Sequence, residues 1–403
     1  MKWERKTLGD ITNIFSGYAF KSSSMSKNEG VPLIKIKNIL SNSVTEECDT
    51  YLIPDKIDPN MDKFILQQGD FLVAMTGQGS VGRIGRMKKV IRKFYVNQRV
   101  AIVRTNLDIA NPSFVYYQIA TKQNEKVLFD KANGAGQPNI SAKQIGELPV
   151  ALPTIDIQDK IASIFSSYDD LIENNQKQIK LLEEAAQRLY KEWFVDLHFP
   201  GWEETKIVDG VPEGWRKCLL SDVADVNKLN LPKNNEYDSI DYIDLSSVKK
   251  GHILEKTRYK INEAPGRAKR LAIDGDIIWG MVRPNLCSYA LVMHPNERDV
   301  FSTGFAVISS KKVPFSYLYC LVTEESFIGY LVNCTNGAAY PAVKPIHFEE
   351  AKILKPVDKI LNQFHSIAEP IYRKIEALDK MVISLAEARD RLLPKLMSGE
   401  VEV

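Results

Sequence analysis

The sequence predicts an α+β chain in which two strand-rich domains follow one another in tandem, separated by two long helices that pair as an antiparallel coiled coil, with pseudo-two-fold internal symmetry. Three observations predict it. The 403-residue chain repeats itself at an offset of 203 positions. Each copy opens with short apolar runs set between turn residues. Each copy closes on a long heptad stripe.

The repeat is clearest where Gly134-Ala135-Gly136-Gln137-Pro138 recurs as Gly337-Ala338-Ala339-Tyr340-Pro341. Under the same offset Leu182, Glu184, Ala185, Arg188 and Leu189 fall on Leu385, Glu387, Ala388, Arg391 and Leu392, and Pro153 falls on Pro356. The N-terminal parts match in drifting register: Trp3, Leu8 and Asp10 with Trp215, Leu220 and Asp222, and Gly69-Asp70 with Gly275-Asp276. Solenoid repeats have periods of tens of residues, so this is a duplicated domain with its helix. Such a chain suits a partner or ligand that itself has two ends.

Residues 31–40 of the first copy alternate apolar and polar after a proline, as a half-buried strand does, and Ile240-Asp241-Tyr242-Ile243-Asp244-Leu245 answers them in the second. Apolar runs follow both Gly-Asp turns, at Phe71–Met75 and Ile277–Trp279, and others lie at Val100–Val103 and Phe305–Ile308. A helix starts after Asn111-Pro112, with its counterpart near Tyr317 to Val322. The first long helix carries Ile161, Phe165, Tyr168, Ile172, Asn175, Ile179, Leu182, Ala186, Leu189 and Trp193 at alternating steps of four and three, the seam of a coiled coil. The second gives Ile371, Ile375, Leu378, Val382, Leu385, Leu392 and Leu396, with Arg389 interrupting. Neither stripe can be hidden alone, so the two helices pair, antiparallel because the intervening domain returns the chain. Some 35 to 40 helical residues at 1.5 Å each make a rod of about 50–60 Å. Asn175 in the seam costs stability and is suited to fixing register, although its counterpart is Leu378.

Composition is that of an ordinary soluble protein, with a net charge of only +2. The N-terminal residues lack an apolar signal core and no stretch is long enough to span a bilayer, so a cytoplasmic protein is expected. Five cysteines and five histidines are scattered without metal-ligand spacing, which fits unpaired thiols in a reducing compartment.

The segment Leu189-Tyr190-Lys191-Glu192-Trp193-Phe194-Val195-Asp196-Leu197-His198-Phe199-Pro200-Gly201, followed by Val211-Pro212-Glu213-Gly214-Trp215, resembles the central region of specificity subunits of type I restriction-modification systems. So do Leu152-Pro153 with Gln158 and Ile161-Ala162, and the ending Arg391-Leu392-Leu393-Pro394-Lys395-Leu396-Met397-Ser398-Gly399-Glu400-Val401. The likeness covers the whole chain. One departure is that Gln158 precedes Ile161-Ala162 by three residues whereas Gln363 precedes Ile367-Ala368 by four. The resemblance implies a target-recognition domain at 1–155, a central helical region at 156–198, a second target-recognition domain at 199–356 and a C-terminal helical region at 357–403. It also implies a non-catalytic subunit. Each recognition domain would read one half of a bipartite, gapped target in double-stranded DNA, and the helices would set the spacing and dock two methyltransferase subunits and, through them, restriction subunits. S-adenosylmethionine and magnesium would belong to those partners, leaving this chain with no cofactor of its own.

With so little net charge, phosphate binding must come from local patches. From Arg83 to Arg104 lie Arg83, Arg86, Lys88, Lys89, Arg92, Lys93, Arg99 and Arg104 with no acidic residue, after Thr76-Gly77-Gln78-Gly79-Ser80-Val81-Gly82. A glycine-rich turn lets backbone approach phosphate, while amides and guanidinium groups supply the bidentate donors that base edges accept. The DNA-contact candidates are therefore Lys35, Lys37, Thr76, Gln78, Ser80, Arg83, Arg86, Lys88, Asn97, Gln98 and Arg99 in the first copy. In the second they are Arg258, Lys260, Lys269, Arg270, Arg283, Asn285 and Tyr340. The same charges also suit solvated turns, and the Gly134–Asn139 loop equally suits a tight turn.

Competing chemistry is thinly represented. Gly77-x-Gly79-x-x-Gly82 does not open a helix followed by an acidic residue, so it does not make a dinucleotide site. Asn111-Pro112-Ser113-Phe114 resembles the Asn-Pro-Pro-aromatic turn of amino-methyltransferases but has serine for the second proline, and a helix start explains it better. Asp70 and Asp276 sit in Gly-Asp turns, where turn chemistry suffices. The rival readings are a structural adaptor with two protein-binding heads, and the recognition chain of a type IIG-like system.

Overall fold

The computed structural model describes residues 3–134, 136–232, 234–335 and 341–403. It divides into two compact units: Met1–Glu173 with Ile383–Val403, and Asn174–Val382. The dividing line crosses both long helices, Ile155–Tyr190 and Asp358–Met397, so each unit holds one strand-rich head and part of each helix. Among the described residues no helix is long and apolar enough to cross a membrane.

In unit 1 the strands Thr12–Ser16, Val100–Thr105, Phe71–Ala74 and Ile84–Arg86 form an antiparallel sheet in that order. Unit 2 repeats it with Ala224–Val226, Phe305–Ser310, Ile277–Gly280 and Tyr289–Leu291. The central strands read as unbroken apolar runs because both faces of the sheet are covered. Phe71, Val73, Ala101 and Val103 enter one core and Leu72, Ala74, Val100 and Ile102 another, as a period of two requires. In unit 2, Ile277 and Trp279 part from Ile278 in the same way. Each head adds a second small sheet, built on Val31–Ile34 and on Ser239–Ile243, with one parallel pairing in each.

Both Gly-Asp turns close as expected: Asp70 Oδ2 accepts the Gln67 N–H at 2.8 Å, and Asp276 Oδ2 accepts that of Ile273 at 2.9 Å. Buried Asp70 also receives a bidentate pair from Arg104, at 2.9 and 2.7 Å. Asp276 has Ser309 where Asp70 has Arg104, and burial, outweighing the more distant Lys228, pushes its carboxyl up to about 6. Asn111 caps the helix Pro112–Ile119, its side chain accepting from the Ser113 and Phe114 N–H groups. That accounts for the Asn-Pro-Ser-Phe sequence.

The heptad stripe of the first long helix is buried or half-buried at every predicted position from Ile161 to Trp193. The α-helix ends at Tyr190, however, and continues as a single π-helical turn, Lys191–Val195. That wider turn lets the consecutive Trp193 and Phe194 both face inward, with Phe194 4.8 Å from Tyr317 and 5.1 Å from Phe364 between ring centroids. The second long helix begins at Asp358 and runs through Pro370, and its buried stripe starts earlier than the heptad spacing predicts, at Ile360, Leu361, Phe364 and Ala368.

Within each unit the helices pack antiparallel. In unit 1 Asp169 meets Arg389 at 2.9 Å and Lys160 meets the Val403 carbonyl at 3.4 Å, while Phe165 and Leu396 share a core. In unit 2 Trp193 lies against Phe364, and Glu183 and Asp379 grip the same histidine. Asn175 is buried with its Nδ2 unbonded.

Candidate functional site

Three strand ends meet at one edge of the unit 1 sheet. Ala101 lies opposite Ser16 and Val100 opposite Ala74, so the segments that follow Ser16, follow Ala74 and precede Val100 are neighbours. Backbone bonds join them: Tyr18 N–H to the Val96 carbonyl at 2.9 Å, Gln98 N–H to the Tyr18 carbonyl at 3.0 Å and Met75 N–H to the Arg99 carbonyl at 3.0 Å. The glycine-rich loop also takes the Asn133–Asn139 loop beside it, through Gly77 N–H to Pro138 at 3.2 Å and Ile140 N–H to Met75 at 2.9 Å. Of the predicted residues, this gathers Thr76, Gln78, Ser80, Arg83, Asn97, Gln98 and Arg99, with Gln78, Gln98 and Arg99 exposed. Exposed Tyr18, Gln137 and Asn139 belong to the same rim. Sequence reasoning misses Tyr18, although a tyrosine directly after a strand-ending glycine is the kind of aromatic on which a base stacks.

The loop is shaped by its glycines. Gly77, Gly79 and Gly82 have φ of +108°, +76° and +84°, and a Cβ on Gly82 would stand 2.7 Å from the Glu125 carbonyl oxygen. Arg83 closes the turn by donating to the Gly79 carbonyl at 2.6 Å. Lys35 adjoins the rim, because Asn97 N–H bonds the Ile34 carbonyl, but its ammonium donates to Thr50 Oγ1 at 2.6 Å. Lys37 is ion-paired with Asp49.

Arg86 and Lys88 face elsewhere. The Arg86 guanidinium lies 4.2 Å over the Tyr116 ring and 4.6 Å over the Tyr117 ring. It donates to Ser113 Oγ at 3.0 Å and the Tyr117 hydroxyl at 2.7 Å, and stands 3.7 Å from Asp169 of the first long helix. Lys88 pairs with Asp170 at 2.6 Å and Glu173 at 3.1 Å on the same helix. These two cations fasten the head to the helix, and the basic run splits between two surfaces.

Unit 2 brings the corresponding segments together. Met281 N–H bonds the Gly304 carbonyl at 2.9 Å, Arg283 N–H bonds Pro341 at 2.8 Å and Val343 N–H bonds Met281 at 2.9 Å. Thus the loop Arg283-Pro284-Asn285-Leu286-Cys287 takes the place of the glycine-rich turn. Arg283 and Cys287 adopt left-handed backbone at φ +50° and +55° without being glycine, strain of the kind that collects at functional loops. Lys269 and Arg270 flank this edge: the Leu231 N–H reaches the Lys269 carbonyl at 2.8 Å, Arg270 donates to Asn230 Oδ1 at 2.6 Å, and the Thr303 N–H reaches Arg267 at 2.8 Å. Arg270 Nε and, in unit 1, Thr76 Oγ1 are buried without a partner. Arg258 and Lys260 lie on the strand Thr257–Lys260, at the opposite edge of its sheet from Ala268–Arg270, and Arg258 is held by Asp241 at 2.9 and 3.0 Å. Tyr340 lies outside the described residues.

Each edge therefore offers amides, guanidinium groups and exposed backbone rather than a nucleophile with its base, and among the described residues no cluster has metal-ligand geometry. Residues 1–184 match the family described as "Type I restriction modification DNA specificity domain". The chain is 29% identical over 302 residues to the type I restriction enzyme MjaIX specificity subunit of Methanocaldococcus jannaschii, covering 72% of this chain and 69% of that one. It is 21% identical to the HindI specificity subunit of Haemophilus influenzae over 99% of both chains. Its fold is similar to the crystal structure of a type I restriction-modification S subunit from M. genitalium, with a TM-score of 0.63 over 98% of this chain and 96% of that one at 15% identity. The duplicated heads, the paired long helices and these matches agree: residues 1–184 carry the type I restriction modification DNA specificity domain, and the chain along its length is similar to specificity subunits of type I restriction-modification systems.

Proposed function

We propose that each unit presents its loop edge to DNA, the edge around Gln78, Gln98 and Arg99 reading one half of a bipartite target and the edge around Arg270, Arg283 and Asn285 reading the other. The observation that carries this reading is the recurrence, in both units, of one loop pair at one sheet edge, built from different residues each time. A shared scaffold with divergent contact residues is what reading two different half-sites requires. Amides and arginines would read base edges, Tyr18 would stack, and lysines and loop N–H groups would engage phosphates. The long helices, continuous from one unit into the other, would carry the spacing and dock two methyltransferase subunits. Methyl transfer and cleavage, with their S-adenosylmethionine and magnesium, would reside in the methyltransferase and restriction subunits.

Methylation-sensitive sequencing of cells with the chain and its methyltransferase, against cells lacking only the chain, tests the reading. A gapped motif that disappears with the chain supports it; unchanged methylation moves the weight to an adaptor that binds proteins alone. For the edge itself, Gln98→Ala with Arg99→Ala should weaken binding of the recovered target about tenfold or more. The same double variant should flatten the salt dependence of binding by about 0.9 for each phosphate it no longer neutralises.

A further inference from the structure

All five histidines of the chain, at positions 198, 252, 294, 347 and 365, fall in unit 2. Three of them lie where the head meets the long helices. His252 is on the hairpin Val248–Lys249 with His252–Ile253, and each ring nitrogen faces a carboxylate from a different helix. Nε2 is 3.3 Å from Glu183 Oε1 of the first, and Nδ1 is 3.3 Å from Asp379 Oδ2 of the second. A neutral imidazole has one N–H and could serve only one of them, so this geometry calls for the doubly protonated ring. His294 is arranged differently: Nδ1 meets Glu376 at 2.9 Å while Nε2 lies 3.2 Å from the Arg373 guanidinium. His365 links Ser316 at 2.9 Å to Glu369 at 3.2 Å.

We propose that His252 is the positioning residue of the second recognition head: bridging one carboxylate on each long helix, it fastens that head to both helices at once and so fixes how its loop edge meets DNA. The proposal rests on the reading that each head serves one half-site. The first head is fastened to the first long helix by a guanidinium and an ammonium instead, Arg86 and Lys88 against Asp169, Asp170 and Glu173. The equivalent hairpin there, Ile39–Leu40 with Ser43–Val44, carries serine where unit 2 carries His252. The groups around His252 leave it as the titrating element of the seat. Glu183 and Asp379 supply the negative charge, and Lys249 and Lys250 flank the ring on its own hairpin. The Tyr319 hydroxyl approaches Gly251, and with Tyr289 and Tyr372 it shares the field of Glu183; burial keeps these three phenols protonated. The two carboxylates hold the imidazole proton up to about 10. A histidine whose pKa rises on folding contributes stability that is full below its unfolded value of about 6.5 and is lost as pH climbs through the folded value.

The test uses the intact complex in cells and the full chain in solution. Methylomes are compared for wild-type, His252→Gln, Asp379→Asn and, as the mirror in unit 1, Lys88→Gln. Both unit 2 variants should relax the same half of the motif, with discrimination there falling about tenfold, about 1.4 kcal/mol, while Lys88→Gln relaxes the other half. The proposal is overturned if His252→Gln leaves both halves intact, degrades both equally, or degrades the half that Lys88→Gln affects. In solution, His252→Gln should melt about 3 °C below wild-type at pH 7, with the gap closing as pH rises through about 10. A gap that stays constant with pH means a structural residue and nothing more. If wild-type methylation does not depend on the chain, the half-site reading itself fails, and the melting experiment alone decides whether His252 is the seat.

Discussion

The two units solve one packing problem with opposite chemistry. In unit 1 the head meets the helices through a polar network, in which Arg86 is stacked on Tyr116 and Tyr117, the Tyr117 hydroxyl donates to Asp169 at 2.6 Å, and Arg389 closes on Asp169 at 2.9 Å. The equivalent positions in unit 2 are Leu291, Tyr319, Cys320, Tyr372 and Ala186. At these positions the polar approach is that of Cys320 Sγ to the Tyr372 hydroxyl at 2.9 Å, and charge has moved outward to His252 and Arg373. The Gly-Asp carboxylates differ in the same sense, Asp70 ion-paired with Arg104 and Asp276 hydrogen-bonded by Ser309. A duplicated backbone thus constrains where a head must be fastened but not with what, so the halves diverge at their seats as freely as at their reading edges.

The comparison can be broken at four places. The largest effect is expected from Arg104→Met, which leaves Asp70 buried and unpaired and should cost unit 1 about 3–5 kcal/mol by chemical denaturation. Asp169→Asn, which removes the charge between Arg86 and Arg389, should cost about 3 kcal/mol, whereas Tyr372→Phe at the matching position should cost only about 1 kcal/mol. Asp276→Asn should do the reverse and stabilise unit 2. The carboxyl titrates near 6 when folded and about 3.9 when unfolded, so the native state loses ground as pH rises between those values and stays penalised above. The gain should be about 1–3 kcal/mol at pH 7.5 and vanish near pH 3; an equal gain at both would place its origin outside ionisation. The smallest change is Asn175→Leu, which removes a buried amide whose Nδ2 is unbonded and should add roughly 1 kcal/mol to thermal stability.

Period and repetition make much of this fold legible. The seam from Ile161 to Trp193 and the strand runs at Phe71 and Ile277 follow from spacing alone, since burial on one side imposes a period of 3.6 and burial on both sides erases alternation. The candidate site is only half legible. Gln98 and Arg99 share one acid-free run with Arg86 and Lys88, yet Val100 begins a central strand while Arg86 ends an edge strand against the helix. Nothing in a charge run says which way its members point. Arg258 misleads for a related reason: its partner Asp241 lies across a sheet pairing that only the fold supplies. The π turn at Lys191–Val195 depends on aromatic packing from three separate segments and leaves no periodic trace.

The division of the chain into units has a consequence for its synthesis. Unit 2 is one continuous stretch, Asn174–Val382, while unit 1 is completed only by Ile383–Val403. Leu396 belongs to the unit 1 core and Arg389 to its network with Asp169. On the ribosome the first head therefore waits for residues made after the second head, while the second head can close on its own. Vectorial synthesis usually folds the N-terminal domain first; here the order of birth and the order of completion run opposite ways, and the interval between them is when the nascent chain is most open to a chaperone.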